Sequence, residues 1–64
     1  MNLRNTLEVC VCPTEVWKMN PESGKPDCIF TMLVPEDLKE LPQGLTDAEV
    51  REIDFLEEVL VITI

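Results

Sequence analysis

Five prolines divide a chain of 64 residues so finely that it must be assembled from short elements. Proline holds φ near about −65° and has no backbone donor, so a helix can begin beside one but a central strand has to stop there. Pro13 and Pro35 therefore bound separate segments, and Pro21 and Pro26 fall in a turn-rich stretch. Only the residues after Pro42 form a long uninterrupted run. A chain of this length buries only about 60% of the surface its unfolded form exposes. That allows one domain over residues 1–64, with a core near the lower limit of what holds a fold without staples or partners. At 45% hydrophobic and 28% charged residues, the composition is that of a globular protein.

The patterning between the prolines predicts an α+β fold. Residues 6–12 (T-L-E-V-C-V-C) alternate Leu7, Val9 and Val11 against Glu8, Cys10 and Cys12, the period of a strand. Residues 15–20 alternate again, with Val16 and Lys18 on one side and Glu15, Trp17 and Met19 on the other. The run N-P-E-S-G-K-P-D (20–27) concentrates turn formers and leads into the apolar run 28–34, so these two strands make a hairpin. Pro35 followed by Glu36 and Asp37 suits the first turn of a short helix, which Pro42 and Gly44 close. Thr46 with Glu49 three positions on matches a capping box. From it Val50, Ile53 and Leu56 recur at helical spacing, which predicts a longer helix ending near 54–56. The β-branched tail 59–64 predicts a terminal strand with Leu60, Ile62 and Ile64 facing the core. The expected architecture is a small, mostly antiparallel sheet of three N-terminal strands and one C-terminal strand, with one short and one longer helix on one face.

Charge is distributed unevenly along this scheme. The chain carries 13 acids and 5 bases, a formal charge of −8. Residues 1–34 hold four acids and three bases, for −1, and residues 35–64 hold nine acids and two bases, for −7. Glu36, Asp37 and Glu40 belong to the short helix. Asp47, Glu49, Glu52, Asp54, Glu57 and Glu58 lie on or just after the longer one, interrupted only by Arg51. Self-repulsion of this kind weakens the compact state and adds nothing to the core, which invites a functional explanation beside simple solubility.

Several functions are excluded or disfavoured by residue type. Without a histidine, no Ser–His–Asp or Cys–His constellation can be built. The two glycines stand twenty residues apart and form no phosphate loop. With pI about 4.1, direct binding of nucleic acid or of an anionic membrane is opposed by repulsion. The 46–57 stretch lacks the central glycine of a calcium loop, so no metal, cofactor or catalytic residue is expected. No targeting segment or apolar run of spanning length is present, which points to a cytoplasmic location. Cys10, Cys12 and Cys28 read best as free thiols in place of small hydrophobes. A disulfide from Cys28 to Cys10 or Cys12 is the weaker alternative, and a metal site weaker still.

The expected function is that of an acidic protein-binding inhibitor or modulator, its carboxylates occupying the basic groove of a nucleic-acid-binding enzyme or complex in place of phosphate. Small acidic phage proteins, the anti-CRISPR proteins among them, act in this way as a class, and the likeness here is one of size and charge alone. Trp17 is either a core residue under the helices or an apolar anchor beside the acids. The alternative function is a homo-oligomeric assembly module, a homodimer formed through the terminal strand or the Trp17 face.

Overall fold

The computed structural model describes all 64 residues. One helix, α1 (Leu3–Glu8), precedes two strands, β1 (Thr14–Met19) and β2 (Pro26–Met32). Two 3₁₀ helices follow, Pro35–Glu40 and Gln43–Leu45, and the chain ends in the hairpin β3 (Glu52–Leu56) and β4 (Val59–Thr63). The strands form one four-stranded sheet in the order β2-β1-β4-β3. β1 pairs antiparallel with β2 but parallel with β4, so the sheet is mixed and not mostly antiparallel as expected.

Three buried sheet residues and two helical ones make the core. Val16, Met32 and Ile62 project from the centre of the sheet, and Leu3 and Leu7, one helical turn apart, close over them. Leu60 and Ile64 pack against this cluster beside Ile62, as the alternation of the tail predicts. Leu38 and Leu45 of the 3₁₀ helices, with Leu41 between them, cover the same side. The architecture is therefore α+β in two layers, with all helical segments on one face.

The strand expected over residues 6–12 is instead the end of α1 and the turn that follows it. The alternation misled because Leu7 belongs to a helical pair with Leu3, leaving Val9 and Val11 78% and 93% exposed. The local signal was Asn2, whose side chain accepts the Asn5 N–H at 2.8 Å as an N-cap. Arg4 and Glu8, four residues apart, form an ion pair at 3.1 Å on the exposed side.

The longer helix expected after Thr46 is also absent. Thr46 does not cap: its hydroxyl donates to the Gln43 carbonyl at 2.9 Å. The segment that follows is stitched to the start of the chain through Leu3 N–H to Ala48 C=O (2.8 Å) and Val50 N–H to Met1 C=O (3.1 Å). Residues 52–56 then run as β3. A nine-residue helix carrying this many like charges is marginal by itself. E-I-D-F-L also alternates with period two, and pairing with the strongly β-forming V-L-V-I-T of β4 decides between the two readings.

Two tight connections complete the sheet. Gly24, at φ +71°, turns the β1–β2 loop back, its N–H donating to the Asn20 carbonyl at 2.8 Å. The β3–β4 turn places Glu57 and Glu58 at φ +50° and +68°, a left-handed pair that hairpins usually give to Asn-Gly.

Leu7 is 1% exposed at the centre of a five-residue core. We expect Leu7→Ala to lower stability by about 2–5 kcal/mol, a large share of what a chain of this size has in total, as read from the urea midpoint at unchanged slope.

Candidate protein-binding surface

The two-layer design leaves one sheet face without cover. Residues directly opposite across neighbouring strands share a face. The register therefore lines up Thr31, Glu15, Val61 and Asp54 in one row and Cys28, Trp17, Thr63 and Glu52 in the next. Trp17 lies half-buried on this open face and not under the helices, and its indole N–H donates to Glu15 Oε1 at 3.1 Å.

The carboxylates named from the sequence fall into two groups, because the acids expected on one helical surface are divided between a 3₁₀ helix and an edge strand. Glu36, Asp37 and Glu40 lie on the Pro35–Glu40 helix, which packs beside α1 and β2. Glu52, Asp54, Glu57 and Glu58 follow β3 and its turn at the opposite edge, with Glu49 before the strand, bridged to Asn2, and Asp47 in the turn before that. Three strand spacings, about 14 Å, separate the two edges.

Within the first group Asp37 is committed to the fold. Its Oδ2 accepts the N–H groups of Leu33 and Val34 at 2.9 and 3.2 Å and so holds the bend at which the helix begins. Glu36 and Glu40 are exposed and make no such bond. In the second group every carboxylate is exposed. Neither Arg51 nor Lys39 forms an ion pair, since Arg4–Glu8 is the single pair in the molecule.

Alternation along β3 puts chemistry of two kinds on one strand. Glu52, Asp54 and Leu56 face the open side. Ile53 and Phe55, opposite Ile62 and Leu60, face the helix side, yet are 45% and 62% exposed because α1 does not reach them. Beside Ile53 a groove of about 540 Å³ runs between β3–β4 and the end of α1, lined by Met1, Val9, Cys10, Val11, Cys12 and Leu60 among others. These apolar residues were not anticipated as surface. For Ile53 and Phe55 the signal was the period-two pattern in E-I-D-F-L, which a helical reading of the segment hid.

The three cysteines are free thiols on two different faces, Cys28 exposed on the open face and Cys10 and Cys12 half-buried by the groove. Burial pushes the Cys10 thiol above its ordinary pKa of 9.0, the Thr14 hydroxyl draws it down in part, and Cys12 adds to the rise. No three thiols or carboxylates converge on a point that could hold a metal ion, and no helix is long and apolar enough to cross a membrane. No protein-family model, curated protein or solved structure matches this chain.

Two outcomes follow from this geometry. Asp37→Ala should lower stability by about 1–2 kcal/mol in urea unfolding, whereas Glu36→Ala and Glu40→Ala should each change it by less than about 0.5 kcal/mol. With iodoacetamide near pH 8, Cys28 should be alkylated well before Cys10, measured by peptide mass spectrometry over time.

Proposed function

We propose that this protein is an acidic protein-binding inhibitor or modulator, which occupies a basic groove on a nucleic-acid-binding protein or complex. The observation that carries the reading is the run 49–58, five exposed carboxylates and a single base, four of the carboxylates on the free edge strand and its turn and Glu49 just before it where Asn2 bridges the chain, with no ion pair to any of them. Alternate strand residues stand about 6.6–6.8 Å apart. That is inside the Debye length of about 8 Å at physiological salt, so the fields of neighbouring carboxylates add. Each such pair repels by about 0.6 kcal/mol in water. A cleft lined with Lys and Arg turns that repulsion into attraction and steers the encounter from a distance.

A role of this kind needs no catalytic group, and it matches what small acidic phage proteins such as anti-CRISPR proteins do to host nucleic-acid machinery. A cytoplasmic setting goes with it. A second reading, a homodimer, is favoured by the apolar groove at Met1, Val9 and Val11, and it predicts a dimer by sedimentation at micromolar concentration.

The first reading is tested by capture from host lysate at about 50 mM salt. The retained protein should be basic, should elute as salt rises to a few hundred millimolar, and should be displaced by added nucleic acid. The Glu49→Lys/Glu52→Lys/Asp54→Lys variant should retain none of it. Retention that resists salt and yields to mild detergent would overturn the charge-based reading in favour of the apolar groove.

A further inference from the structure

β3 has a hydrogen-bonded neighbour on one side only. In an antiparallel ladder every second residue turns its N–H and C=O away from its partner, and along Glu52–Leu56 no other strand receives them. Met1 covers the chain at Val50, but from Glu52 onward the edge is open and all five side chains are exposed. Such an edge is a template for one more strand.

Its side chains decide which strand fits. In an antiparallel pairing of β3 with the β3 of another copy, faces stay matched when Asp54 lies opposite Asp54, when Glu52 lies opposite Asp54 or when Glu52 lies opposite Glu52. Each of these registers sets carboxylate against carboxylate, and the shifted register with Phe55 opposite Phe55 leaves Asp54 against Leu56 with no cation, so a second copy satisfies the edge less well than a cationic strand does. An incoming strand with Lys or Arg at alternate positions meets Glu52 and Asp54 on the open face. If the residues between are apolar, they extend the surface of Ile53 and Phe55 and reach toward the groove at Met1 and Val9.

We propose that β3 binds an extended partner segment of alternating cationic and apolar residues, which adds to the sheet as a fifth strand. This names the mode of contact for the acidic surface argued above and rests on that reading. Backbone bonds provide the attachment, the cations provide register on the open face, and the apolar residues provide it on the helix side.

Two synthetic peptides of one composition test it, an alternating (Lys-Val)₄ and a blocked Lys₄Val₄, each added to the intact protein at low salt. The alternating peptide should bind more tightly by tenfold or more and should slow hydrogen exchange at β3 amides, while amides of β2, at the other edge, stay unchanged. Glu52→Lys/Asp54→Lys should abolish binding, and Glu52→Gln/Asp54→Asn, which adds no new charge, should weaken it at least tenfold. Phe55→Thr should weaken it severalfold, and Glu36→Lys/Glu40→Lys should leave the β3 protection unchanged. Equal, salt-sensitive binding of both peptides without β3 protection would overturn strand addition and leave the acidic surface standing. Failure of both peptides, while a salt-eluted basic partner is still captured from lysate, would do the same. Failure of both peptides together with no captured partner would remove both readings.

Discussion

The parallel pairing of β1 with β4, centred on Val16 beside Ile62, is the contact on which the rest of the molecule depends. Both side chains are fully buried, and Leu3 and Leu7 of α1 close over them with Met32. Because β1 is already flanked by β2, and the two-residue turn Glu57–Glu58 ties β3 to β4, seating β4 against β1 leaves β3 only the outer side of β4. The acid-rich segment is carried to the sheet edge by the packing of apolar residues elsewhere in the chain. Nothing in β3 itself contributes to the five-residue core.

A core this small covers one face of one sheet and no more. The rest of the apolar surface is half-covered, like Trp17 and Val61, or left in the open, like Phe55 and Leu56. At the β3 edge the carboxylates Glu52 and Asp54 alternate with Ile53 and Phe55, a pattern that disfavours edge-to-edge pairing. The same carboxylates repel one another and find no internal cation. Glu57 and Glu58 add to this by occupying left-handed turn positions, where asparagine and glycine are less strained. Edge and turn together are locally unfavourable and contribute nothing to the five-residue core.

Much of the sheet was legible because its signals agree with one another. Residues 15–20, 28–34 and 59–64 alternate or are β-branched, turn formers bound them, and each corresponds to an observed strand within two residues. Where two periods competed, local reading chose wrongly. Leu7, Val9 and Val11 fit a strand, but Leu3 with Leu7 and the Asn2 cap fit a helix, and burial under α1 favours the second. Thr46 and Glu49 imitate a capping box, yet the partner of that segment is the chain's own start, which no local pattern registers. For the site, the acidic character of 49–58 was plain, whereas Ile53 and Phe55 as exposed apolar neighbours were hidden by the assumption of a helix.

The sequence by itself determined the excess of carboxylate after Pro35, the lack of histidine and the positions of the proline-bounded breaks, since these follow from which residues are present and in what order. Only the tertiary structure decided that β4 lies parallel to β1, that residues 52–56 are a strand, and that their carboxylates line a free edge with apolar side chains between them. Those outcomes depend on pairing between segments tens of residues apart. The free energy of such pairing lies in shared burial and shared hydrogen bonds, and no single segment carries it in its own pattern.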